Sequence, residues 1–268
     1  MPRTRAIRSV DAEYQLALAL RENRRQRARQ GRFIVEGVRS IDAAVANRWT
    51  IDSLWFARDR RLSRWAEGLL EGGVARTNVE LEPQLMEELS AKDETSELVA
   101  VVEIPPDDLD RIPRREDALL VVLDRPQNPG NLGSIVRSAD ALGADGVVLA
   151  GHAADVYEPQ TIRASQGALF AVPVVRVESP AEVEPRLAAV RVVGTSAHAG
   201  DSVDAIDLRE PTALVLGNET KGLSWAWRER ADTLVRIPQR GSASSLNLAA
   251  AAAVLLYEAN RQRRSPAA

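Results

Sequence analysis

The sequence predicts a two-part α/β protein: a small α/β domain over residues 1–103, a linker over 104–117, and a larger α/β domain over 118–268 built on a mostly parallel sheet. Three observations predict it. A chain of 268 residues, 45% hydrophobic, is long enough to bury two cores. From residue 119 onward, short β-branched apolar runs alternate with helix-length segments, the pattern of parallel strands covered by helices on both faces. Residues 104–117 hold three prolines and eight charged residues, so they are expected neither to continue a sheet nor to bury themselves.

Taken in order, residues 11–29 read as one helix, with Leu16 and Leu20 four apart and charges elsewhere, ending at Gly31. A strand at 32–36, a helix near 40–46, a strand at 53–56, helical stretches near 62–70 and 84–89, and a strand at 98–102 complete the first domain. In the second, six strands are predicted at 119–123, 147–149, 172–175, 192–194, 213–216 and 234–237. An alanine-rich helix closes the chain.

Composition excludes several classes. With no cysteine and only His152 and His198, no disulfide framework or thiolate metal site can form, and no metal is expected. No apolar run is long enough to span a bilayer, and the basic start lacks the apolar segment of a secretory signal, so a soluble cytoplasmic protein is expected. Net charge is only −3, yet residues 1–40 hold ten arginines against four acids. Arg24, Arg25, Arg27, Arg29 and Arg32 form a basic arm that either meets RNA or is a solvated helix face, and a strong preference for arginine over lysine explains part of it.

In a parallel sheet, ligands gather beyond the carboxyl ends of the strands. Three loops there are unusual. After residues 119–123, Asn128-Pro129-Gly130 punctuates a turn and a helix begins near Asn131, its apolar face marked by Leu132, Ile135, Val136, Ala139 and Leu142. Arg137 follows six residues later and shares a ligand with Asn131 only if Asn131 precedes the first helical turn. Alone, Asn131 reads as a helix cap and Arg137 as a surface charge. After residues 213–216, Gly217 and Gly222 bracket Glu219, in a spacing unlike a phosphate-binding P-loop. After residues 234–237, a run of small residues leads through Ser245 to Asn247 and a long helix, where Ser244 or Ser245 is expected as the cap. Trp225 and Trp227 are assigned to packing or dimer contacts in preference to base stacking, and the two histidines to loops.

Together, NPGNLGSIVRSADALG (128–143), LGNETKGLS (216–224) and IPQRGSASSLNLAAAAAVLLYE (237–258) resemble the three ordered motifs of the SpoU family of RNA 2′-O-ribose methyltransferases. The resemblance covers about residues 118–262. It implies a trefoil-knotted α/β fold, a homodimer formed through the knotted domain, and S-adenosylmethionine as cofactor. It places Asn131, Arg137, Glu219, Ser245 and Asn247 in the active site and Thr195, Leu216, Gly217, Ile237, Gln239 and Leu246 at the cofactor. The segment 162–170 also resembles a family segment, with Arg163 and Ser165 as RNA contacts. Residues 29–37 are similar to the opening of the small RNA-binding domain found in a subset of the family, which favours RNA as the arm's partner. The acidic stretch 92–98 departs from relatives, which usually carry a small or proline-glycine turn there.

What the resemblance implies is methyl transfer to a ribose 2′-hydroxyl, in ribosomal RNA ahead of transfer RNA. A guanidinium is a poor base, so Arg137 is expected to stabilise the attacking oxygen electrostatically, with Asn131, Ser245 and Asn247 orienting and Glu219 tethering the loops. A non-catalytic RNA-binding or ribosome-assembly factor of the same fold is one alternative. A dinucleotide-dependent oxidoreductase is another, disfavoured because the first loop has only Gly130 and Gly133 of the glycine fingerprint.

Overall fold

Where one helix is expected over residues 11–29, the chain forms two, because Asn23 both ends the first and starts the second. In the computed structural model, which describes residues 3–90, 94–242 and 245–264, strand β1 (Arg3–Ile7) leads into α1 (Ala12–Glu22). The Asp11 carboxylate caps α1 by accepting from the Tyr14 N–H at 2.8 Å. The Asn23 N–H donates back to the Ala19 carbonyl, while its side-chain oxygen accepts from the Arg25 and Gln26 amides, opening α2 (Arg24–Gln30). Gly31, at φ 61°, ends α2 in the left-handed region.

The first unit continues with β2 (Arg32–Glu36), α3 (Val38–Ala46), β3 (Ile51–Ala57), α4 (Arg64–Glu71), β4 (Ala75–Leu81), α5 (Pro83–Leu89) and β5 (Leu98–Glu103). Its five strands lie in the order β1-β4-β3-β5-β2, parallel from β1 to β3 and antiparallel from β3 through β5 to β2. β1 and β4 are absent from the expected set. β1 is an edge strand with only Ile7 buried, and β4 carries arginine, threonine, asparagine and glutamate among its apolar positions, so neither has the apolar alternation that marks a strand.

The linker is less detached than expected. It holds a short 3-10 turn, Leu109–Arg111, and buries Ile112 to 1% exposure in the core of the second unit. A Cβ added at Gly146 would lie 2.7 Å from Ile112 Cγ1, so this glycine leaves the space the isoleucine fills.

The chain continues with β6 (Leu119–Asp124), α6 (Pro129–Ala141), β7 (Gly146–Ala150), α7 (Pro159–Ser165), α8 (Ala168–Ala171), β8 (Val174–Val177), α9 (Pro180–Leu187), β9 (Arg191–Thr195), β10 (Asp201–Ser202), β11 (Thr212–Leu216), α10 (Trp225–Arg230), β12 (Thr233–Arg236) and α11 (Leu248–Arg264). Seven strands form one sheet, β10-β12-β9-β11-β6-β7-β8, in which all the described pairings are parallel. The two-residue β10 was not foreseen; it is too short to carry a period. β6, β7 and β11 are buried at every position, as strands covered on both faces must be. Leu123 pairs with Leu216 across β6 and β11, and Thr195 with Val235 across β9 and β12, so the loops leaving these strands emerge side by side.

Helices α7 and α8 do not stay with the sheet that carries them. Residues 157–171 pack with the first unit, where Phe33 and Trp49 meet Phe170 and Tyr157 at ring-centroid distances of 4.7–6.3 Å and the Trp49 indole N–H donates to the Phe170 carbonyl at 3.0 Å. The packing units are therefore 1–105 with 157–171, and 106–156 with 172–268.

Candidate active site

The site is assembled where β6, β11 and β12 end. Asp124, the last residue of β6, is buried; its carboxylate accepts from Arg125 Nε at 2.8 Å and from the Ser224 N–H at 2.6 Å, tying the first loop to the second. Arg125 adopts φ 55° and donates to the Gly222 carbonyl at 3.3 Å. Asn128 caps α6 by accepting from the Asn131 N–H at 2.9 Å, with Pro129 in the first turn where a missing N–H costs nothing. Asn131 is thus not the cap, and its own side chain is free for other work.

That side chain joins the three loops. Glu219 accepts from the Gln127 and Asn128 amides at 3.1 Å each and from Asn131 Nδ2 at 3.3 Å. Asn131 Oδ1 accepts in turn from Asn247 Nδ2 at 3.0 Å. Asn247 caps α11 through its Oδ1, which accepts from the Ala249 and Ala250 amides. The cap is therefore two residues beyond Ser245, while Ser244 lies outside the described residues. Partial burial would raise the Glu219 carboxyl, but its own backbone N–H, those of Gln127 and Asn128 and the Asn131 amide outweigh it and hold the group below its ordinary range.

The second loop is a tight reversal. Asn218 and Gly222 exchange backbone hydrogen bonds at 3.0 and 2.9 Å, and Asn218 Oδ1 accepts from the Thr220 and Lys221 amides. A Cβ at Gly217 would sit 2.2 Å from the Gly222 carbonyl carbon, so only glycine lets the two strands of this loop touch. Glu219 is held at the tip by that fold-back.

Arg137 is not brought to the cluster. Both it and Asn131 lie inside α6, and six residues at about 100° each leave them about 120° apart around the helix. Arg137 is exposed and has no side-chain hydrogen bond or ion pair among the described residues. Ser245 is exposed at the mouth of the cavity next to the cluster.

That cavity, of about 640 Å³, is lined by Thr195, Leu216, Gly217, Ile237, Gln239 and Leu246, together with Glu219, Ser245 and Asn247. The sequence reading missed His198, Lys221 and Arg228 on its wall. It also missed Asp124, Gln127 and Asn128 behind it; the Asn-Pro pair ahead of an apolar helix was the available signal for the cap.

The proposed RNA contacts divide. Arg24, Arg25 and Arg29 are exposed. Arg27 is 4% exposed and donates to the Leu20 and Arg21 carbonyls at 2.8 and 2.9 Å, so it fastens α2 to α1 and cannot reach RNA. Arg32 pairs with Asp52 at 3.1 Å. Ser165 is fully buried with its hydroxyl donated to the Ile162 carbonyl at 2.8 Å, which removes it as a contact. Arg163 is exposed in the first unit, where it lines a cavity with Arg60, Arg61 and Trp65. Of the acidic stretch, Glu94 and Glu97 line the same cavity, whereas Lys92 and Asp93 lie outside the described residues. Trp227 is completely buried in the core, but Trp225 is 76% exposed and does not pack.

Comparison with known proteins decides the family. Residues 118–257 match the model of the SpoU rRNA methylase family, and residues 11–100 that of the SpoU L30e-like domain. The chain belongs to the SpoU rRNA methylase family. A 23S rRNA (uridine(2479)-2′-O)-methyltransferase of Streptomyces viridochromogenes is 52% identical over 98% of this chain and 94% of its own length. RlmP of Bacillus subtilis, a 23S rRNA (guanosine(2553)-2′-O)-methyltransferase, is 31% identical over 87% and 90%. The crystal structure of the SpoU methyltransferase AviRb from Streptomyces viridochromogenes, in complex with AdoMet, superposes with a TM-score of 0.90, covering 96% of this chain and 99% of that one at 52% identity. In this SpoU methylase, Asn131, Glu219 and Asn247 fall within the span that matches the family model.

Proposed function

We propose that the chain transfers a methyl group from S-adenosylmethionine to a ribose 2′-hydroxyl of ribosomal RNA, in the cytoplasm, as a homodimer. The observation that carries the reading is the hydrogen-bonded chain Glu219–Asn131–Asn247, which links three strand-end loops at one edge of the 640 Å³ cavity. Two 2′-O-methyltransferases of 23S rRNA among the relatives, aligned over most of this chain, support ribosomal over transfer RNA. The superposition on a SpoU enzyme supports the family's trefoil knot.

The cavity suits the cofactor. Its size lies in the range of small-molecule sites, its wall combines apolar Leu216, Ile237 and Leu246 with the polar Gln239 and Thr195, and Gly217 is a position that tolerates no side chain. S-adenosylmethionine, when bound, supplies an electrophilic methyl group. Asn131 and Asn247 hold each other at the edge of the site, and Ser245 at the mouth completes the polar rim that orients the ribose. Glu219, kept ionised by its amide donors, fixes the first loop against the second.

Arg137 stabilises the oxygen as it attacks, but in its own chain it leaves α6 about 120° away from Asn131. A homodimer would resolve this: α6 packs on α11, and α11 leaves Val254 and Tyr257 exposed, an apolar surface for a second copy. Arg137 of the partner subunit then serves the site. Mixing Arg137→Ala chains with Glu219→Ala chains tests this, because a trans arrangement leaves one intact site per mixed dimer. Recovery of methyl transfer on mixing is expected; mixtures as inactive as either parent would place Arg137 in its own chain's site.

A further inference from the structure

Trp225, the first residue of α10, is the most exposed of the large hydrophobic side chains among the described residues, and the chemistry above leaves it unused. At 76% exposure its indole has no hydrogen bond or ring partner among the described residues. It is not on a loose end. The Ser224 N–H ahead of it is held by buried Asp124 at 2.6 Å, the Gly222 carbonyl by Arg125 at 3.3 Å, and Trp227, about 200° around the helix, anchors α10 in the core.

Its neighbours give its surroundings a sign. Arg228 is three residues on, so it shares a helix face with Trp225, and Arg228 lines the same cavity as Glu219. Among the described residues the Arg228 side chain donates to the Leu223 carbonyl alone, at 3.2 Å, and Lys221, on the same wall, has no side-chain partner. Exposed Glu229, four residues on, shares that face as well, so Trp225 has one cation and one carboxylate as helix neighbours, of which only Arg228 lines the cavity. An exposed indole two residues beyond Leu223 of the cavity wall, on the helix whose Arg228 also lines that cavity, matches the combination that holds unpaired nucleic acid: a ring for a base and positive charge for the phosphates beside it.

We propose that Trp225 stacks on a base of the RNA strand next to the ribose that is methylated, with Lys221 and Arg228 on the flanking phosphates, so that it positions substrate and takes no part in the transfer. The inference rests on the RNA-methylating reading of the site. The test is steady-state methyl transfer to unmodified 23S ribosomal RNA transcript by Trp225→Ala, Trp225→Phe and Trp225→Leu, with cofactor affinity by calorimetry and oligomeric state by sedimentation. Trp225→Ala and Trp225→Leu should raise the KM for RNA about tenfold, within the range for one base stacked on one ring, while kcat and cofactor affinity stay within twofold. Trp225→Phe should recover most of the loss. An unchanged KM in Trp225→Ala, or leucine working as well as phenylalanine, would overturn the stacking role. Conversion of the Trp225→Ala protein to monomers would overturn it by showing that a second copy covers the indole. Wild-type protein that transfers no methyl but loses RNA affinity on Trp225→Ala would sink the proposed reaction and leave the stacking site standing.

Discussion

At Glu219 one carboxylate accepts from three donors on the first loop, so its charge does structural work before any chemistry. Because its folded pKa is lowered, the stability it lends is present above the ordinary carboxylate range and is lost as the pH falls through the depressed value. Methyl transfer and cofactor binding should therefore hold through neutral pH and fail only on the acid side; Glu219→Gln should already bind cofactor more weakly at pH 7, by about 2- to 20-fold in calorimetry, for the loss of charge-assisted bonds. Arg137→Ala should cut kcat by 100-fold or more, on the order of an oxyanion donor, with cofactor affinity unchanged; retained turnover would remove its role. The ordered loop motifs made Asn131, Glu219 and Asn247 legible as neighbours. Arg27 was not legible: a buried arginine bonded to two carbonyls and an exposed one that meets phosphate are the same letter in a basic stretch. The caps were misread for a related reason, since asparagines at 128, 131 and 247 and the serines before 247 are all good caps and only the backbone path selects among them.

Among the elements, the second loop depends on one missing methyl group. Gly217→Ala would drive a Cβ into the Gly222 backbone, and the strain should destabilise the unit by about 1–3 kcal/mol, each of which lowers the melting temperature by about 2–4 °C. A variant that melts with the wild type would show that the loop can open without cost. β6, β7 and β11 were readable because double-sided burial forces continuous apolar runs, and β8, β9 and β12 because each still carries a short β-branched run. β1 and β4 were not, since an edge strand and a polar-rich one carry no such run. Residues 104–117 read as solvated because charges outnumber apolar residues there, yet a single isoleucine, Ile112, met by Gly146, is enough to pin the segment to a core.

Over the whole molecule, the division into two parts is visible in composition, but the return of residues 157–171 to the first unit is not. It rests on Phe33, Trp49, Tyr157 and Phe170, aromatic residues up to 137 positions apart, and pattern along a chain does not report such meetings. The basic arm acts at this scale through counterion release. Replacing Arg24, Arg25 and Arg29 with alanine should lower RNA affinity and reduce the salt slope of binding, whereas Arg27→Ala should lower the melting temperature instead. An unchanged slope would return the three exposed arginines to solvent. Ribose methylation of ribosomal RNA is checked by incubating unmodified 23S ribosomal RNA with the protein and radiolabelled S-adenosylmethionine, then hydrolysing the RNA with alkali. A methyl on the 2′-oxygen blocks cleavage at its own phosphate, so label is expected only in alkali-resistant dinucleotides from one position. Label on a base in ordinary mononucleotides, or no label at all, would contradict it.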